Sequence, residues 1–127
     1  MNTFKKIVFP VVLATVWISI SEFVRNEFLI KNLWIEHYTG LGLAFPSEPA
    51  NGAVWGLWSL VLAIIIFIIS RKFELLATIT LSWIIGFIMM WLVVGNLGVL
   101  PFKILYYAVP LSIIEVVIAT LIIKKLS

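Results

Sequence analysis

The stretch FKILYYAVPLSIIEVVIATLIIKK, residues 102–125, is apolar except at its basic ends, Lys103 and Lys124 with Lys125, and at one carboxylate, Glu115. Twenty or so apolar residues in a row are what a helix needs to cross a hydrocarbon layer about 30 Å thick. At about 1.5 Å of rise per residue, Glu115 lies roughly 18 Å from Lys103 and roughly 13 Å from Lys124, close to the middle of that layer. A carboxylate at such depth is costly and ordinarily faces a bundle interior or a wet cavity. Glu115 is therefore the first candidate for a site, and the rest of the chain can be placed around it.

The chain has 127 residues, of which 63% are hydrophobic and 12% charged, half the roughly 25% charged share of a soluble domain. This composition predicts an all-α integral membrane protein, a four transmembrane helix bundle formed as one domain over residues 1–127. The spans fall at about 6–26, 51–70, 75–95 and 102–123, joined by short connections except between the first two. An extracytoplasmic amphipathic and loop segment fills that longer connection. No cysteine is present, which excludes disulfide and thiol-relay chemistry. The net charge of +3 comes from basic residues at span ends, where they orient helices, so nucleic acid is not an expected partner.

The first span opens with Lys5 and Lys6 and could be taken for a secretory signal, but no small-residue cleavage pattern follows its apolar run. It is read as a retained span. Its polar residues Thr15, Ser19, Glu22 and Asn26 recur at helical spacing and share one face, which should meet protein. Glu22 and Arg25, three residues apart, are expected to pair, and with Asn26 they form a candidate secondary outer site. Residues 27–38 mix apolar and polar positions as an interfacial helix does, with Glu27 and Lys31 as an i,i+4 pair and Trp34 and Tyr38 as headgroup-level aromatics. His37 is the only histidine and lacks the companions of a metal site, so no metal is expected. Glycine and proline break periodicity over 39–49, where Leu41, Leu43, Ala44 and Phe45 could fold back over the outer mouth.

The second span carries Gly52, Gly56, Ser59 and Ala63 on one face, a spacing that permits close helix contact. Thr78, Ser82 and Gly86 make a similar stripe on the third. In the fourth, Ala108, Ser112, Glu115 and Ala119 share a face, so the acid sits on the side that packs. Counting inward from the cytoplasmic ends puts Ser82, Trp83 and Glu115 in one layer, with Ser19 and Ser59 slightly outward and Ser112 one turn from the acid. These six residues define a midmembrane ligand or proton site, with no lysine or arginine expected at the depth of Glu115. Pro110 should kink the helix just outside the acid.

Six basic residues, Lys5, Lys6, Arg71, Lys72, Lys124 and Lys125, fall at one end of the spans, against Arg25, Lys31 and Lys103 at the other. The positive-inside rule predicts a cell-membrane protein with both termini cytoplasmic. Two functions fit. One is a transporter or proton-linked permease for a small cationic or polar solute, in which protonation of Glu115 alternates with solute binding. The other is a non-catalytic membrane subunit, or a lipid- or hydrophobic-ligand-binding protein, whose acid is structural and hydrogen-bonded to Ser82 or another hydroxyl. Expected partners are membrane lipid, a homo-oligomeric copy, and a small solute or lipid ligand. No cofactor is expected, and an enzyme is disfavoured because no span holds a histidine to serve as base for its serines.

Overall fold

A computed structural model describes residues 2–127. Five helices account for most of the chain: α1 (Phe4–Leu29), α2 (Lys31–Gly40), α3 (Pro49–Ser70), α4 (Leu75–Asn96) and α5 (Phe102–Leu126). No strand occurs among the described residues. All but α2 are long and apolar enough to cross a membrane, and together they make a four-helix bundle. In hydrocarbon no water can satisfy a free backbone group, so such spans must be helical throughout.

The helices pack in ring order, α1 on α3, α3 on α4, α4 on α5 and α5 on α1, with α3 and α5 also touching across the diagonal. The core between them holds Ala14, Ile18, Leu62, Ala63, Ile66, Phe87, Val116, Ala119 and Ile123. The polar residues Ser59, Thr78, Ser82, Ser112, Glu115 and Thr120 are buried as well. The outside is the apolar face: Phe23, Leu57, Ile68, Leu76 and Leu92 are all more than half exposed. A soluble protein could not present that surface, whereas lipid tails cover it without penalty. Buried polar and exposed apolar residues together are the signature of a chain made for a membrane.

The polar stripe of α1 does turn toward protein: Glu22 is buried and Thr15, Ser19 and Asn26 are half-buried. On α4 the stripe Thr78, Ser82, Gly86 is wholly buried, and a Cβ at Gly86 would lie 3.0 Å from Leu62 Cδ1. The α3 stripe is different. Ser59 and Ala63 are buried, but nothing lies within 4 Å of where a Cβ at Gly52 or Gly56 would stand. The close contact expected at those two glycines is absent, because that part of α3 borders a cavity. Pro110 stands inside α5, which runs on as helix from Leu105 to Leu126.

Connections are fixed by specific bonds. Lys124 Nζ donates to the carbonyls of Ser70 (3.1 Å) and Phe73 (2.9 Å), so α5 closes the end of α3. Glu48 and Asn51 exchange hydrogen bonds in a capping box that starts α3 just before Pro49. α1 ends at Ile30, whose φ of −126° and ψ of 9° turn the chain into α2. His37 Nε2 lies 2.8 Å from the Gly98 carbonyl, tying α2 to the α4–α5 turn, where Gly98 has a φ of +79°.

The packing contrast between the glycines is measurable. Gly86→Leu should lower stability by about 1–3 kcal/mol through overpacking against Leu62, whereas Gly56→Leu should melt within a few degrees of the parent. Thermal unfolding in detergent checks both, and a Gly56→Leu variant that unfolds as early as Gly86→Leu would contradict the open face of α3.

Candidate functional site

The charged centre of the bundle is built from α1 and α5. Arg25 Nη2 donates to Glu22 Oε2 one turn earlier, and Arg25 Nη1 lies 3.4 Å from Glu115 Oε1. Glu22, Arg25 and Glu115 are all buried, with Glu115 fully enclosed. The Glu22–Arg25 pairing read from the sequence is present, but it is not a separate outer site. Arg25 reaches the depth of Glu115, contrary to the expectation that no cation would, so the outer and midmembrane candidates join in one cluster.

Two features of α1 make this reach feasible. Residues Val24–Leu29 form a π-helical turn, in which Ile30 N–H bonds the Arg25 carbonyl at 3.0 Å, five residues back. Such turns shift side chains out of α register and recur at functional sites. In addition, helical side chains lean toward their own N-terminus. On α1 that direction is inward and on the antiparallel α5 it is outward, so Arg25 and Glu115 lean toward each other. Trp17 Nε1 donates to the Glu115 carbonyl at 2.9 Å and pins the same two helices one level deeper.

Further contacts hold the guanidinium and its first partner. Arg25 Cζ stands 5.5 Å from the centroid of Phe87, an α4 ring whose face attracts a cation. Asn26 Nδ2 donates to Glu22 Oε2 (3.1 Å), and Trp34 Nε1 donates to Asn26 Oδ1 (3.1 Å). A polar chain thus runs from Trp34 at the outer end through Asn26, Glu22 and Arg25 to Glu115. With both carboxylates ionised its charge would be unbalanced, since two acids share one guanidinium.

The other residues expected at the midmembrane site do not gather around Glu115. Trp83 Nε1 donates to Ser112 Oγ at 2.9 Å, and Ser112 Oγ donates to the Val109 carbonyl at 3.0 Å, so these two satisfy each other and α5. Ser82 is buried, but its hydroxyl makes no bond to Glu115 or to any other described residue. The second oxygen of Glu115, Oε2, is likewise without a partner. Ser19 and Ser59 line a cavity that Glu115 does not reach.

That cavity, of about 640 Å³, lies between α1, α3 and the 41–48 loop, and Glu22, Glu27 and Glu48 stand on its wall. Phe45 of the loop packs on Trp34 and Tyr38, with ring centroids 5.6 and 5.1 Å apart, so part of the loop does fold back. A second cavity of about 280 Å³ lies between α3 and α4 at the end of the bundle away from the chain termini. Glu22, Arg25 and Asn26 form its polar side, and Trp34, Trp55, Trp58 and Trp91 much of the rest. Glu22 is thus the carboxylate that both cavities reach, while Glu115 stands behind Arg25. No group of three metal-ligating side chains occurs among the described residues.

The cluster's energetics are testable. Arg25→Met leaves two buried carboxylates with no cation and should cost about 3–5 kcal/mol, the scale of a broken buried ion pair. Glu115→Gln keeps the shape and an acceptor for Arg25 and should cost no more than about 1 kcal/mol. Added to Arg25→Met, it should recover part of the loss, since the two sites are coupled. Melting curves of the four proteins decide it, and an Arg25→Met protein as stable as the parent would show that the guanidinium is not holding the acids.

The chain matches no protein-family model, no curated protein and no solved structure; its chemistry has to be read from the charged cluster and the two cavities that meet at Glu22.

Proposed function

We propose that this chain is a small membrane transporter, a proton-linked permease for a small cationic or polar solute. The observation that carries the reading is the shared guanidinium: Arg25 bonds both Glu22 and Glu115, and of these two acids only Glu22 faces the cavities. With both acids ionised the cluster has one negative charge too many for a low-dielectric interior. One added positive charge balances it, and two kinds can supply it. A proton on Glu115 leaves Arg25 to Glu22, whose charge is then met from within. When that proton leaves, Arg25 is drawn toward Glu115, and Glu22 is left for a cation in the cavity. Proton and solute exclude each other because either one completes the same charge balance.

A second reading keeps one observation in its favour. Glu115 lines neither cavity and is wholly enclosed, as suits a structural acid in a non-catalytic membrane subunit or a lipid- or hydrophobic-ligand-binding protein. The two readings separate on exchange. Vesicles holding the purified chain and an internal pH dye should become alkaline inside when choline chloride or potassium chloride is added outside, as protons leave in exchange. Glu115→Gln and Glu22→Gln should each reduce that signal at least tenfold while leaving the fold intact. A signal unchanged by Glu115→Gln, or absent with every cation, favours the structural reading.

The reading also sets an orientation, with both termini on the cytoplasmic side of the cell membrane and the acid-bearing cavity facing out, which the basic span ends support. Ser47→Cys would be the only cysteine in the chain. An impermeant maleimide added to intact cells should block it. Labelling only after the membrane is opened would reverse the topology.

A further inference from the structure

The two halves of α4 are packed differently. Its inner half, Leu75–Trp83, lies against α3 and α5. Residues Ile84–Ile88 then form a π-helical turn, and the outer half, Met89–Asn96, contains no buried residue. The 280 Å³ cavity occupies the gap this leaves at the outer end of the bundle. Four of the six tryptophans of the chain line it, from three different elements: Trp34 on α2, Trp55 and Trp58 on α3, and Trp91 on α4.

Headgroup-level anchoring accounts for a tryptophan that faces outward; it does not account for four that turn toward one space. Indole is the strongest cation-binding ring among side chains, and a box of such rings is the characteristic receptor for a cation whose charge is spread over alkyl groups. Beside Glu22 the polar wall holds only Arg25 and Asn26, engaged with the two acids and with Glu22 and Trp34, and the remaining walls are apolar, so no free ligand replaces the water around a metal ion or a primary ammonium. Glu22 supplies one carboxylate beside the rings; Arg25 on the same wall is paired with it and leaves it to the cation when drawn to Glu115. The volume is near the lower end of the about 300–1,000 Å³ of ordinary ligand pockets, which restricts the occupant to a small group.

We infer that the cavity between α3 and α4 is a binding site for an alkylated ammonium group, held by Trp34, Trp55, Trp58 and Trp91 and balanced by Glu22. This names the cation class of the transport reading and rests on Glu22 being the seat of the solute's charge. The group can belong to a free solute or to the headgroup of a choline lipid, since both present the same trimethylated nitrogen.

Calorimetric titration of the purified protein in maltoside detergent tests the site without requiring transport. Choline and tetraethylammonium should bind with a 1:1 stoichiometry, while potassium and the uncharged choline isostere 3,3-dimethylbutan-1-ol should bind at least tenfold more weakly. Trp55 is partly exposed and stacks on no other ring, so Trp55→Leu should fold. It should weaken choline binding on the order of three- to tenfold, the range of one cation–π contact. Tyr106→Leu, outside the cavity, should leave it unchanged. A short-chain phosphatidylcholine that competes with choline and binds more tightly assigns the group to lipid; failure to compete assigns it to a free solute. Equal binding of the uncharged isostere, or loss of affinity in neither Trp55→Leu nor Trp58→Phe, overturns the site. Choline binding with no choline-driven proton movement upholds the site and overturns transport; potassium-driven proton movement with no choline binding does the reverse.

Discussion

One guanidinium between two carboxylates, inside a structure whose exterior is hydrocarbon, constrains the whole bundle. Moving any one of these ions from water into such surroundings costs several kcal/mol even after relaxation, and mutual attraction repays this only when geometry is good. Arg25 provides the geometry, because its planar fork can address Glu22 on its own helix and Glu115 on another at the same time. The pairing therefore sets where α1 and α5 meet. Trp17 bonding the Glu115 carbonyl repeats the constraint deeper in the bundle, and Asn26 and Trp34 carry it outward. Phe87 brings α4 into the same cluster by covering the guanidinium. If the cluster came apart, these contacts would lose their common centre.

How much of this was legible differs from residue to residue. The spans follow from length and composition, and the buried faces of α4 and α5 follow from the helical spacing of Thr78, Ser82 and Gly86 and of Ala108, Ser112, Glu115 and Ala119. The partner of Glu115 does not follow. Counting residues along each axis puts Arg25 well outward of the acid, but it ignores that long side chains lean toward the N-terminus of their own helix. Between antiparallel neighbours the two leans add, and Arg25 covers the gap. Gly52 and Gly56 failed for another reason. A small-residue stripe says only that a surface is low, and a low surface can meet a neighbour or border a cavity; which occurs depends on where α1 and the 41–48 loop lie. Trp34 reads from the sequence as a headgroup-level anchor, since nothing local in the sequence shows that it faces one space with Trp55, Trp58 and Trp91.

The two π-helical turns near the site have related consequences. The one in α1 re-aims the segment that carries Arg25 and Asn26. The one in α4 lies where that helix passes from buried to half-buried and exposed positions, with Gly86 close to Leu62 at the same level. Beside the cavity its outer half carries no fully buried residue, and Trp91 and Val94 pack there against Ile30, Leu100 and Ile104.

The identity of the central cation also limits how the cluster can work. A lysine there could shed its proton when desolvated and let the acids settle as a neutral set, but arginine keeps its charge at any accessible pH. Arg25 cannot be the group that changes state. Whatever varies must be a carboxylate, and the two differ in what they can meet: Glu22 faces both cavities, Glu115 neither. In the proposed transport cycle Glu115, behind the guanidinium, is the acid that takes the proton, and Glu22 the one that meets the solute. On that proposal a fixed positive charge between two unequal acids separates the species each takes, and it links them because Arg25 cannot neutralise both at once. On the transport proposal the same asymmetry gives a reason why Glu115, the most conspicuous residue in the sequence, need not be the one that touches the solute.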